Sequence, residues 1–340
     1  MRERHDFFSD NTAGICPEAL AAFTAANAGF APSYGADPIS VQAADAIRAL
    51  LDADADVRFV STGTVANAIA CATLCPPAGA VLAYEEAHIR FHEAGAPGFF
   101  GGGLEIEPLA GIDGRIDPAA LDQALTRPRG AEERRPAALS LTNATEYGTV
   151  YDDAMLARLS VVAKDAGLRI HLDGARLANA VAAGFDPRTL ARAGVDIAVL
   201  GGSKAGAPFS EAIVLLDKRL AEGFDERLKR SGQLTSKMRL LAAPWIGLLD
   251  GQGDDRPWIA HARHANAMAR RLADGLPFAT AYPVESNAVF VSMDDAQESA
   301  LAARGWRFAR FEDGSARFVC SWATSAEAVD ALIADARDIG

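Results

Sequence analysis

Lys204 and Asp173 are the two residues whose type and setting say most about chemistry. Each closes an apolar run, Leu168-Arg-Ile-His-Leu-Asp173 and Ile197-Ala-Val-Leu-Gly-Gly-Ser-Lys204, with a reactive polar side chain. About thirty residues separate the two ends, room for one helix and its loops, so the runs are read as parallel strands that bring both side chains to one rim. Ligands of open α/β sheets bind at the carboxyl ends of the strands. A lysine able to form a Schiff base, beside an acid able to keep a pyridine nitrogen protonated, is what a pyridoxal 5'-phosphate enzyme needs. The plainer alternatives are a helix N-cap for Asp173 and a surface turn for Lys204.

Ser61-Thr-Gly-Thr-Val-Ala-Asn67 falls between an expected strand and an expected helix. Unpaired N–H groups and the helix dipole there favour a phosphate, although a Gly/Thr turn with an ordinary cap has the same signature. The segment lacks the lysine of a P-loop and the glycine spacing of a dinucleotide fingerprint, which argues against ATP and NAD. His88 and His92 spell H-x-x-x-H, but a third ligand is missing, so no metal site is expected. His88 is read instead as an aromatic that stacks on the cofactor ring and handles protons. His171, two residues before Asp173 on the same strand, is read as a histidine that supports the site or is simply packed, while His261 and His264 are read as surface residues.

The elements that must carry these groups alternate. Strands are expected at 57–60, 80–84, 104–109, 137–143, 168–173 and 196–201, with one helix led into by Ser61–Asn67 and running through Leu74 and another at 152–166. Three successive strands then present Asn143, Asp173 and Lys204 at their carboxyl ends, a parallel crossover repeated twice. A further strand is expected at 211–216, then helical pattern from 220 to 249 and a breaker-rich segment at 251–257. The fold class is therefore α/β, with a mostly parallel sheet flanked by helices. The chain divides into an arm (1–38) that contributes to the site, a large domain (39–250) and a small α+β domain (251–340). In the last, strands are expected at 288–292, 307–310 and 317–321, and a capping box at Thr324–Glu327 begins the final helix.

The bulk properties narrow the function classes. A chain of 340 residues, half of them hydrophobic, can bury a large core, and its net charge of −12 disfavours nucleic acid and anionic membranes. No apolar run reaches the roughly 18 to 20 residues of a membrane span, and a signal-type start is not seen, so the expected location is the cytoplasm. Four cysteines make no disulfide framework, and Cys71 and Cys75 are read as small core residues.

Several further pieces carry a family resemblance: Ser9-Asp-Asn, Tyr34-Gly-Ala-Asp-Pro38, Thr62-Gly-Thr-Val-Ala-Asn67, Ala87-His88, Glu93-Ala-Gly, His171-Leu-Asp-Gly-Ala-Arg176, Gly202-Ser-Lys204 and Ala316-Arg317. In this order, and nearly end to end, they resemble the threonine aldolases of the β-eliminating-lyase group, which are fold-type I pyridoxal phosphate enzymes. The stretches Asp10–Glu18, Ala144–Tyr151 and Gly232–Arg239 are most similar to the bacterial branch that cleaves threonine and phenylserine. The resemblance implies that Lys204 forms the Schiff base, Asp173 pairs with the pyridine nitrogen, Gly63 and Thr64 hold the phosphate, and His88 stacks on the ring. It also implies cofactor contacts from Arg176 and Ser203, and substrate contacts from Ser9, Tyr34, Asn143, Arg176 and Arg317. By the same resemblance Lys229 and Lys237 lie where a neighbouring subunit reaches the cofactor phosphate, which implies a homotetramer, or at least a dimer, with shared sites.

The implied reaction is retro-aldol cleavage of a β-hydroxy-α-amino acid to glycine and an aldehyde. Two departures stand out. Ala144, Thr145 and Glu146 occupy the neighbourhood where many members have a histidine beside the substrate hydroxyl, and the loop after Lys204 has less glycine than usual. With that histidine missing, His88 is expected to take the hydroxyl proton, directly or through one water, with Glu146, Tyr34 or a phosphate-bound water as the alternatives. The rivals are a β-eliminating lyase or racemase on the same scaffold, and a non-catalytic sensor of the cofactor.

Overall fold

The computed structural model describes residues 3–311 and 313–339. Its strands are β1 (Asp56–Val60), β2 (Gly79–Tyr84), β3 (Glu105–Leu109), the hairpin β4 (Gly111–Ile112) and β5 (Arg115–Ile116), β6 (Arg135–Thr142), β7 (Arg169–Gly174), β8 (Ile197–Gly201), β9 (Glu211–Leu215), β10 (Ala288–Val291), β11 (Ala309–Arg310) and β12 (Ala316–Val319). Seven form one sheet in the order β1-β9-β8-β7-β6-β2-β3. From β3 to β8 every pairing is parallel, and β9 runs antiparallel to both β8 and β1. β2, β8 and β9 are buried along their whole length, as expected for apolar strands with helices on both faces.

The register sets the rim. Thr142 lies opposite Asp173, and Asp173 opposite Val199, so β6, β7 and β8 end nearly level. The backbone N–H of Asn143 continues the ladder to the Asp173 carbonyl at 2.9 Å.

β10, β12 and β11 form a second, antiparallel sheet. It has its own core, in which Phe318, Trp306 and Leu332 pack with Phe7 of the arm. The helix Pro257–Gly275 joins the two cores: Trp258 and Ile259 pack into the main one, Ala269 and Leu272 into the smaller. None of the described helices is long and apolar enough to cross a membrane.

The differences from expectation are local. The helical pattern at 220–249 is two helices, Phe224–Arg230 and Met238–Leu248, parted by a turn in which Gly232 takes a φ of 74° that other residues resist. The last helix is capped by Ser325, whose hydroxyl accepts from the Ala328 N–H, because Thr324 is already accepting from the Ser321 N–H. The strand expected at 307–310 shrinks to β11, because Arg307 N–H is spent on the Arg4 carbonyl of the arm. His261 is not a free surface residue: it hydrogen-bonds Glu18 at 3.0 Å and packs on Trp322.

Candidate active site

At the carboxyl rim of β6 to β8 a cavity of about 210 Å³ is lined by Lys204, Asp173, His88, Arg176 and the first turn of the helix Gly63–Leu74. Lys204 reaches it from a tight loop after β8. A Cβ on Gly201 would run into the Ala175 carbonyl, and one on Gly202 into the Ser210 carbonyl and the Trp245 ring, so this approach needs glycine at both positions. Trp258 Nε1 donates to the Gly201 carbonyl at 3.2 Å, and the Gly202 N–H donates to the buried Glu211 at 2.8 Å. Ser203 lies outside the cavity wall; its Oγ accepts from the Ser210 N–H and stiffens the loop.

The Lys204 ammonium has no ion-pair partner among the described residues, and burial together with the Arg176 charge lowers its pKa. Asp173 is 2 % exposed. Its Oδ1 accepts from the Ala175 N–H at 3.0 Å and its Oδ2 from Asn67 Nδ2 at 2.9 Å, and among the described residues it has no ion-pair partner. A carboxylate has about four lone-pair sites, so capacity is left for one more donor, and a buried charge needs a partner.

The first turn of the helix Gly63–Leu74 is prepared for an anion. Thr62 Oγ1 caps the Val65 N–H, leaving Gly63 and Thr64 N–H groups without an intrahelical acceptor. A Cβ at Gly63 would meet no atom within 4 Å, so open space lies in front of this turn. Gln233 holds the entry to it, accepting from both the N–H and the hydroxyl of Ser61 at 2.9 Å.

Two carboxylates complete the wall: Glu93, to which the sequence reading gave no role, and Glu146, which it held as an alternative base. Glu93 Oε1 accepts from Asn67 Nδ2 at 2.8 Å and lies 2.9 Å from His88 Nδ1, so His88, Glu93, Asn67 and Asp173 form one chain of hydrogen bonds. Glu146 Oε1 accepts from the His88 backbone N–H at 2.9 Å and from Thr142 Oγ1 at 3.0 Å. Burial raises the pKa of both, and the Asp173 charge pushes in the same direction. The E-A-G and N-A-T-E segments were visible in the sequence, but nothing in their spacing shows that they face each other. His171 is fully buried on Ser140, and burial pushes its pKa down to about 4, in keeping with a packed, neutral ring.

The arginine assignments change. Arg176 gives Nε and Nη2 to the two oxygens of Asp10, at 2.7 and 2.9 Å, so most of its fork is spent on the arm. Burial opposes ionisation of Asp10, but the charges of Arg176 and Lys204 outweigh it and hold its pKa down. We expect Asp10→Ala to destabilise the protein by about 3 to 5 kcal/mol, since it strands a buried guanidinium. A urea midpoint implying less than about 1 kcal/mol would show that Arg176 finds another partner.

Arg317, in contrast, has no ion-pair partner among the described residues, and its buried Nε has no acceptor. Burial and the nearby Arg176 lower its pKa to about 10. Arg317 is not among the residues that line the cavity, but it stands near enough to Arg176, which does, to feel its charge, and its guanidinium is left without a carboxylate among the described residues.

Five other expected contact residues do not line this cavity. Asn143 spends its amide on the backbone of Tyr151, accepting at 3.1 Å and donating at 3.2 Å, and so shapes the loop after β6. Ser9 caps its own turn through the Asn11 N–H; Asn11 reaches the cavity wall instead. Tyr34 borders a different cavity, with the Lys229 ammonium 4.8 Å from its ring centre, and Lys237 is exposed nearby.

Residues 6–296 match the family model of the β-eliminating lyases. A low specificity L-threonine aldolase from Pseudomonas aeruginosa is 43 % identical over 97 % of this chain and 96 % of its own length. Another from a Pseudomonas species is 41 % identical over 99 % and 98 %. A solved threonine aldolase from Leishmania major superposes with a TM-score of 0.91 at 30 % identity, covering 98 % of this chain and 99 % of that one.

Proposed function

The chain belongs to the β-eliminating lyase family, and from that premise we propose that it is a pyridoxal-phosphate-dependent threonine aldolase of fold type I. It cleaves L-threonine, and in the finer reading L-allo-threonine and phenylserine, to glycine and an aldehyde. The observation that carries the reading is the meeting of a half-buried Lys204 and a buried Asp173, neither with an ion-pair partner among the described residues, in one cavity with a helix N-terminus. When bound, pyridoxal phosphate supplies an electron sink for the pair of the breaking Cα–Cβ bond.

Every other task falls to side chains of this chain. Lys204, with its pKa lowered, is the amine that carries the cofactor. Asp173 has the spare acceptor capacity to take a pyridine N–H and keep that nitrogen charged. Gly63 and Thr64 offer N–H groups to the phosphate. His88 covers the ring, its imidazole oriented by Glu93. Arg317 is the arginine with a guanidinium to spare for the substrate carboxylate, and Arg176 contributes charge from its pair with Asp10.

The finer parts of the reading have their own support. Tyr34, Lys229 and Lys237 stand exposed outside this chain's cavity, and Phe30 and Phe99 are exposed apolar surface, which suits a homotetramer in which these groups serve a neighbour's site. Four unpaired cysteines suit the cytoplasm.

Purified protein loaded with cofactor should release glycine and the matching aldehyde in equal amounts from threonine, allo-threonine and phenylserine. Pyruvate with ammonia, or the enantiomer alone, would instead assign an eliminating lyase or a racemase. Arg317→Ala should lower kcat/KM by about 10- to 150-fold, mainly through KM, the worth of one charge-assisted contact. Equal losses for amino acids and for the corresponding amino alcohols would remove carboxylate recognition from Arg317.

A further inference from the structure

Retro-aldol cleavage needs a group that takes the proton of the β-hydroxyl, and resting on the aldolase reading, we propose that this group is the carboxylate of Glu146. The cavity wall assigns it by what its other ionisable groups are already doing. Lys204 and Asp173 hold the cofactor. Arg176 is forked onto Asp10, and Glu211 is tied to Gly202 beneath the lysine loop. The Glu93 side chain is fully enclosed and shared between Asn67 and His88, which in turn commits His88 Nδ1. Glu146 borders the same cavity with neither a cation nor an imidazole bound to it among the described residues. Its two hydrogen bonds both fall on Oε1, and Oε2 has no partner; Glu93 Oε2 is free as well, so what separates the two carboxylates is that Glu93 is spent on the His88 imidazole and Glu146 is not.

Those two bonds fix the carboxyl in place. They come from the His88 backbone and from the last residue of β6, so Glu146 is held between the residue that covers the cofactor and the strand next to Asp173. A general base works best with a pKa near the operating pH, and burial has moved this carboxyl in that direction.

The step balances without any oxidant. The O–H bond breaks and its proton passes to Glu146, while the oxygen's electron pair becomes the second bond of the aldehyde C=O. The Cα–Cβ pair stays with Cα, which takes up one proton to become glycine, so one proton is lost and one gained. Glu146 acts only on the hydroxyl; exchange of the Cα proton does not involve it.

That separation supplies the test. Glu146→Gln keeps an acceptor for the His88 N–H, and should retain the visible spectrum of the bound cofactor. Phenylserine cleavage should fall about 10²- to 10⁴-fold, the usual worth of a general base. Exchange of the glycine α-proton in D₂O, followed by NMR, should stay within about threefold of the parent, since no hydroxyl is involved. Cleavage within threefold of the parent overturns the proposal, as does a parallel loss of cleavage and exchange, which marks a structural carboxyl.

Should the glutamine variant not load cofactor, Glu146→Ala assayed with formate takes its place. Cleavage that rises with formate concentration supports the assignment, and undiminished or unrescued cleavage overturns it. A parent protein that cleaves no β-hydroxy-α-amino acid refutes the aldolase reading itself, whereas a cleaving parent with a cleaving Glu146→Gln refutes only the role of Glu146.

Discussion

Lys204→Ala is expected to abolish the visible absorption of the bound cofactor and nearly all turnover. Among the described residues no other lysine lines the cavity to substitute as the amine. The loop itself should survive, because its shape is set by Gly201, Gly202 and their contacts with Ala175, Ser210 and Trp258 rather than by the lysine side chain. Loss of activity should therefore come with little loss of stability, since the half-buried ammonium that is removed has no ion-pair partner among the described residues. Full activity in the alanine variant would mean that the cavity at the β8 end is not the active site.

Asp173→Asn should leave a folded protein that binds cofactor but turns over about 10²-fold more slowly or worse, the scale on which a preorganised charge stabilises a reacting centre. The asparagine keeps an acceptor for the Ala175 N–H or for Asn67, so the ends of β6 and β7 should stay in register. What it cannot do is hold a positive charge on the pyridine nitrogen. The variant should also disturb His88, because Asn67 bridges Asp173 to Glu93 and Glu93 orients the imidazole. Steady-state kinetics with the cofactor spectrum as a control gives the answer, and unchanged turnover would show that another acid serves the cofactor.

Much of the main sheet could be read from the chain, because a strand buried on both faces writes itself as a continuous apolar run and the crossover rules leave little choice of topology. Lys204 and Asp173 were legible for the same reason: each ends such a run, and the end of a strand is a local property. The helix at Gly63 was legible from its cap. The final helix, with Thr324 drawn off to Ser321, shows the limit of that reading, since a cap can be claimed by a different backbone group.

Pairing of side chains was decided elsewhere. Asp10 meets Arg176 across 166 residues and Asn67 meets Asp173 across 106, and no spacing rule connects such positions. The sequence by itself thus determined which residue types stand at the strand ends, and hence the cofactor chemistry, because backbone periodicity is written locally. Only the tertiary structure decided which of two arginines is left unpaired, that Asn143 serves its own loop, and that Glu93 and Glu146 close on His88. A buried charge takes whatever partner the packed chain brings within hydrogen-bond reach, and that depends on the whole fold.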